Sequence, residues 1–482
     1  MGKLNRDNLR KTVYYLKKNG WKNTVLAAVE RLQKKEQDTY TYISPAEEVL
    51  RRQRQRVWEN PVVFSVVVPV YHTPKQYFCE MVESVLKQTY PYFELILADA
   101  GKDESLKVLA EKYEDPRIRY IKLADNAGIA ENTNQAILAS TGDFVVLFDH
   151  DDLLTADALY EMAEAIRNKK MKVTDMSHDI SETTPVLLYS DEDKCDGSGS
   201  VFYDPHFKLD YDPDLLLTNN YFCHLTVVRA DVAKRFLLRK AYDGAQDFDF
   251  VLRVTAEAGE DQIIHIPKVL YHWRCHIGST AANPESKRYA YESGKRAVED
   301  YVNKKGWDAR VSHLKHLGFY RVDYEKGIFK MRPEVGAVGG RILGRKKIAG
   351  IDVLGSGWKI TGGMMDEKGR VLYEGLRDGF SGYVNRAALQ QQAAALDRRC
   401  MKINPACWNL CEEVLERYYA ETAGGSSENQ RGMSALITAE GRIEWEKLPQ
   451  DTDYVGLSLE VSRALRKTGY ILLWDPQMVE KV

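Results

Sequence analysis

The 482 residues contain no Cys-x-x-Cys pair, no Gly-x-Gly-x-x-Gly after the first strand and no Gly-Lys-Ser/Thr loop. No apolar run approaches the ~18–20 residues of a membrane span. Each absence removes a class. The seven cysteines (Cys79, Cys195, Cys223, Cys275, Cys400, Cys407, Cys411) are odd in number and scattered, which supports neither a zinc ribbon nor a disulfide framework. Cys407 and Cys411, one helical turn apart, read as small core residues. Without the glycine-rich phosphate loops, a dinucleotide dehydrogenase and a P-loop NTPase are disfavoured. A sugar-1-phosphate nucleotidyltransferase would need a glycine-rich basic loop after the first strand, and that is missing too. The opening residues Met1-Gly2-Lys3-Leu4-Asn5-Arg6 lack an apolar signal core, so the expected location is cytoplasmic. Nucleic acid is not an expected partner.

What is present fits a soluble globular chain: 44% hydrophobic, 29% charged, long enough for two to four units. The formal charge of -2 is unevenly spread. Residues 1–60 carry 14 Lys/Arg against 7 Asp/Glu. A basic arm of this kind can touch an anionic surface at the inner face of the plasma membrane, although a solvated helix face is the more frequent origin of such a bias. Leu9, Val13, Leu16, Val25, Ala28, Val29 and Leu32 fall at helical spacing, with a break at Asn19-Gly20. The expected division is a helical arm (1–60), an α/β domain (61–310) and a C-terminal α+β domain (311–482).

From residue 62 onward, apolar strands alternate with helices of roughly ten residues, the pattern of a parallel, doubly wound sheet. Val62 to Tyr71 reads as the first core strand, stopped by Pro69. Phe93 to Ala98 and Ile118 to Leu123 follow, with helices between. Phe144-Val145-Val146-Leu147-Phe148 then runs into Asp149, Asp151 and Asp152. In such sheets ligands lie beyond the carboxyl ends of the strands. Three carboxylates there repel one another unless a cation shares them, and oxygen donors suit Mg2+ or Mn2+. The bland reading is a strand end capped by solvated acids.

These motifs give a resemblance. Val68-Pro69-Val70-Tyr71, Asp99, Asn126-x-Gly128, Asn134 and Phe148-Asp149-His150-Asp151-Asp152 stand in the order and spacing of family 2 glycosyltransferases with the GT-A fold. Tyr189 to Lys194 and Ala245-Gln246-Asp247-Phe248-Asp249 extend the likeness to bacterial rhamnosyltransferase-like enzymes of surface polysaccharide synthesis. The chain departs from the pattern at Asp99-Ala100, where the family usually has two acids.

The resemblance implies a Rossmann-like, mostly parallel sheet with helices on both faces. It implies an inverting, divalent-metal-dependent transfer from a dTDP- or UDP-linked sugar to a polysaccharide or lipid-linked glycan. Pro69, Tyr71, Asp99, Asn126, Gly128, Asn134 and Asp149 would bind the nucleotide, with Tyr71 stacked on the base and Asp99 accepting from its imide. Asp149 and Asp151 would hold Mg2+ or Mn2+. Asp247 would be the general base, with Asp249 the fallback and a helix-cap role the competing reading. Arg274 and His276 would close over the diphosphate, and Glu192 and Asp193 would line the donor-sugar or acceptor side. The alternative of a different class is a catalytically inert module that binds nucleotide sugar or glycan.

The C-terminal third carries weaker signals. Asp453 to Val461 and Gly469 to Pro476 echo Asp247 to Val254 and Asp261 to Pro267. No second acidic strand end appears, so a degenerate, transferase-like accessory domain is expected. Asp451 and Asp453 are read as helix starters, not metal ligands.

Overall fold

The computed structural model describes residues 6–37, 40–174, 184–275, 288–345, 357–422, 437–444 and 453–482. The described chain forms two compact units. The first is built mainly from residues 37–211 and 219–301, the second from 12–36, 212–218 and 302–482. The basic arm opens with α1 (Arg6–Gln37), interrupted at Gly20 (φ 75°, ψ 167°) where the sequence breaks its helical spacing. Helix α2 (Glu47–Gln55) precedes the sheet of the first unit.

That unit runs β1 (Phe64–Val70), α3 (Lys75–Leu86), β2 (Phe93–Asp99), α4 (Ser105–Glu111), β3 (Ile118–Lys122), α5 (Ile129–Ala139), β4 (Phe144–Leu147), β5 (Leu153–Leu154), α6 (Ala158–Thr174), β6 (Leu187–Asp196) and β7 (Phe202–His206). A short helix of the second unit, α7 (Pro213–Leu216), intervenes. Then come β8 (Thr226–Arg229), α8 (Ala230–Phe236), α9 (Gln246–Thr255), β9 (Ile263–Cys275) and α10 (Arg288–Lys304). The strand order is β3-β2-β1-β4-β8-β6-β9-β5, with β7 paired to β6. The fold is α/β, as the alternation of elements leads one to expect. Strands β3, β2, β1 and β4 are parallel, β8 is antiparallel to both β4 and β6, and β6 runs parallel to β9.

Both faces of the parallel half are covered, which is why its strands read as continuous apolar runs. Val66, Val68, Leu95, Leu97 and Val146 point into one core with Phe78, Met81 and Leu159. Their neighbours Val67, Ile96 and Val145 are just as fully buried on the other face. The strand order turns back between β1 and β4, so the carboxyl ends of these two strands frame a crevice suited to a ligand.

Pro69 does not stop β1, which continues to Val70. The Phe64 N–H bonds to Tyr92 O, so even-numbered amides of β1 face β2 and odd-numbered ones face β4. Pairing with β4 ends at Val67 opposite Leu147. The amide hydrogen that Pro69 lacks would have pointed past the end of β4, where the ladder needs no donor.

The second unit continues through β10 (Ala309–His313), β11 (Tyr320–Tyr324), α11 (Ile328–Met331), β12 (Val335–Arg345), β13 (Trp358–Gly362), β14 (Met364–Met365), β15 (Gln391–Gln392), β16 (Ala395–Leu396), β17 (Met401–Ile403), α12 (Trp408–Thr422), α13 (Tyr454–Lys467) and β18 (Ile471–Lys481). Strands β12 and β18 pair in parallel with α13 before the second strand, the connectivity also seen in β6, α9 and β9. Leu396, Met401, Cys407, Cys411, Leu457, Val461 and Trp474 fill the core of this unit. Asp453 caps α13, its carboxylate accepting from Val455 N at 3.1 Å. Asp451 lies outside the described residues.

Candidate active site

Strand β4 delivers its acids to the crevice in a fixed order. Phe148 is buried and meets the Tyr271 ring edge-on at 5.7 Å, which anchors the turn that follows. Asp152 is buried behind it and accepts from Tyr271 OH and from Arg274 N (2.7 Å). Burial, with the charges of Asp149 and Asp151, raises its pKa well above the usual carboxylate range. Asp152 therefore organises the turn and does not face a ligand.

Asp149 stands at the floor of the crevice. Water reaches 48% of its side chain, yet surrounding protein desolvates it enough to raise its pKa. His224 and His150 oppose that shift, whereas the carboxylates of Asp151 and Asp247 reinforce it. Asp247, nearly one hundred residues downstream, is thus within electrostatic reach of the acidic strand end. All three carboxylates are partly accessible to solvent.

Sequence reasoning missed His224. It lies between α7 and β8, and its Nδ1 is 2.8 Å from Glu192 Oε2 while its Nε2 is 3.7 Å from Asp149 Oδ2. Its ring stacks on Tyr271 at 4.7 Å. Burial disfavours its charged form, but Cys223 and Glu192 outweigh that and raise its pKa well above the ordinary histidine value. Glu192 is held well below the carboxylate range by Lys208, His206 and His224, against the cost of burial. Lys208 is itself buried and donates to Phe222 O (3.1 Å) and His224 O. These contacts favour the protonated form of His224 beside Asp149.

Glu192 and Asp193 part company. Alternate residues of a strand face opposite sides. Glu192 turns toward His224, whereas Asp193 is fully buried between His272 Nδ1 and Tyr40 OH (2.6 Å). Of the two residues expected on the sugar side, Asp193 is placed in the packed interior.

On α9 the same separation appears. The N-cap is Ala245, with no side-chain cap bond, so Asp247 does not cap the helix. Its Oδ2 accepts from Asn220 Nδ2 at 3.0 Å. Asp249 is buried and paired with Arg239 and Arg253, which removes it as a fallback base.

Around the nucleotide edge, Tyr71 is 39% exposed beside His72 (ring centroids 4.1 Å) at the end of β1. Asp99 is buried and already accepts from Gly101 N (2.7 Å), Tyr120 OH and Lys122 Nζ (2.9 Å). Asn126 Oδ1 accepts from Gly128 N (3.2 Å) and Asn132 Nδ2 (2.9 Å), shaping the loop before α5. Gly128 has φ 105°, and a Cβ there would stand 2.6 Å from Asp243 Oδ2. Only glycine fits. Asn134 is buried and clamps Leu238, donating to its carbonyl and accepting from its N–H, both at 2.8 Å.

Arg274 is placed behind the acidic turn. Its side chain is fully buried, with Nε bonded to Asp151 O (2.6 Å), one terminal nitrogen to Gly197 O (3.0 Å) and the other paired with Glu80 (2.7 Å). It braces the acidic turn from behind. His276 lies outside the described residues.

Among the described residues no group of three or more His, Cys, Asp or Glu has the geometry of a complete metal site. Two carboxylates at one strand end, mutually repelling and open to solvent, nevertheless fit a hard cation that keeps positions for substrate oxygens.

Residues 65–236 match the model of glycosyl transferase family 2. Uncharacterized protein y4gI of Sinorhizobium fredii is 38% identical over 248 residues, 51% of this chain and 26% of its own length. The O-antigen biosynthesis protein RfbC of Myxococcus xanthus is 31% identical over 286 residues, 58% of this chain and 21% of its own. The chain therefore spans about a quarter of these curated relatives. A crystal structure of S. aureus TarS 1-349 in complex with UDP-GlcNAc aligns with 50% of this chain and 66% of its own at 21% identity, TM-score 0.39. Through residues 65–236, this chain carries a glycosyl transferase family 2 domain.

Proposed function

We propose that the first unit transfers a sugar, hexosyl or rhamnosyl, from a dTDP- or UDP-linked donor to a hydroxyl of a growing surface polysaccharide or its lipid-linked precursor, with inversion. The observation that carries the reading is the electrostatic influence that Asp151 and Asp247 both exert on Asp149 at the end of β4. A donor would lie over the ends of β1, β2 and β4, with Tyr71 against the base. Asp149 and Asp151 would hold Mg2+ or Mn2+, which as a Lewis acid would stabilise the charge growing on the leaving diphosphate. Asp247 Oδ would take the proton from the acceptor hydroxyl as that oxygen attacks the anomeric carbon. Attack from the face opposite the leaving group inverts that carbon. His224, kept cationic by Glu192, would fix the Asp149 carboxylate and add positive charge to the crevice.

RfbC is named for O-antigen biosynthesis, which supports a glycan acceptor. No helix among the described residues is long and apolar enough to cross a membrane, so the proposed membrane contact is through the basic arm. The test is a panel of dTDP- and UDP-sugars offered to purified protein. One or a few should be hydrolysed slowly in the absence of acceptor. A protein that binds a donor but never turns one over, with or without glycan, would be the inert module instead.

A further inference from the structure

The second unit contains a cavity of about 230 Å³ that the transferase reading does not use. Its polar lining is Lys315, His316, Arg341, Asn385 and Gln477, and no Asp or Glu lines it. Sites for whole drug-sized ligands occupy about 300–1,000 Å³, so this one takes a single small group.

The charges around it do not cancel within the cavity. Lys315 Nζ donates to Gly379 O at 2.7 Å, and among the described residues no carboxylate forms an ion pair with it. Arg341 donates to Pro476 O (2.6 Å) and pairs with Asp378 (3.1 Å) behind the wall. Glu30 and Asp378 are the acids facing Lys315, and Arg341 opposes them. The carboxylate of Glu30 is engaged by the N–H groups of Ser381 and Gly382, at 2.7–3.1 Å. Lys18, bonded to Leu314 O, adds a further cation.

Burial first, then Arg341, lowers the Lys315 pKa. Burial, Lys315 and Lys18 together push His316 down to about 4, so His316 is neutral near pH 7. A desolvated ammonium is costly unless something pairs with it. The wall is also strained: Val384 and Asn385 have φ 42° and 63°. A β-branched residue rarely enters that region, and such strain gathers where ligands are clamped.

We infer that this cavity is an oxyanion site, taking one carboxylate or phosphate group on Lys315 Nζ with Arg341, Asn385 and Gln477 around it. The site is independent of donor chemistry in the first unit.

The experiment is calorimetry and thermal melting of the full chain with inorganic phosphate, glucuronate or glucose, at ionic strength matched with chloride. At least one of the two anions should bind and raise Tm, and glucose should not. Phosphate alone would identify a phosphate-bearing ligand, and glucuronate alone an acidic sugar. Lys315→Met should weaken anion binding by roughly tenfold or more, the worth of a charged hydrogen bond. Should that variant not fold, the titration of His316 followed by NMR in the wild type should move upward from about 4 when the anion is added. Failure of both anions to bind, binding that survives Lys315→Met, or an unmoved His316 would each overturn the inference.

Discussion

Asp247→Asn is the substitution in which chemistry and stability separate most cleanly. The amide keeps an oxygen to accept from Asn220 Nδ2, a bond of 3.0 Å in the native chain. It removes one negative charge from the first turn of α9, where the helix dipole favours acids by about 0.3–1 kcal/mol. It also removes a charge that raises the pKa of Asp149, a repulsion whose loss offsets part of that cost. The net change in stability should stay below about 1 kcal/mol. Loss of a general base, by contrast, typically costs about 10²–10⁴ in rate, or roughly 3–5 kcal/mol of transition-state free energy. Turnover and Tm measured on one preparation give both numbers, and donor affinity should be nearly unchanged. A variant that transfers sugar at the native rate would remove Asp247 from the chemistry.

Other substitutions test the remaining assignments. Asp249→Asn, two residues further along α9, breaks a buried pairing with Arg239 and Arg253 and should cost about 3 kcal/mol of stability, read by denaturant unfolding. Asn134→Ala strands the amide and carbonyl of Leu238 and should destabilise by about 2–4 kcal/mol in the same assay, with donor affinity of the folded fraction retained. Glu94 is buried, and although burial alone would raise its pKa, bonds from Ser65, Arg119 and Thr141 bring it down to about 2. Because the folded value is depressed, its stabilisation of about 3 kcal/mol is present above pH 4.5 and disappears as pH falls toward 2. Glu94→Gln should therefore flatten the acid limb of the stability profile, measured by urea melts between those limits.

The sequence carried the parallel half of the sheet because its strands are buried on both faces and read as unbroken apolar runs. Asp149 and Asp151 were singled out because they end an apolar strand, at the edge where ligands of such sheets lie. Asp247 was singled out through its motif, whereas its electrostatic influence on Asp149 depends on the fold. His224 was not found. It sits in a segment without periodicity, and its partners Glu192 and Asp149 are 32 and 75 residues away. The burial of Asp193 and Asn134 was not legible, because sequence order does not say which neighbour a strand or helix turns inward. Arg274 followed the same course: a phosphate-binding residue type, spent in this fold on the carbonyls behind the acidic turn.

The central claim is that a nucleotide sugar is bound over the strand end carrying Asp149 and Asp151. Calorimetry with UDP and dTDP, titrated in Mn2+ and again in EDTA, on wild type and Asp151→Asn, tests it most directly. Binding should appear in Mn2+, fall away in EDTA and be lost in Asp151→Asn while Tm holds. Affinity unchanged both by EDTA and by the substitution would contradict the account.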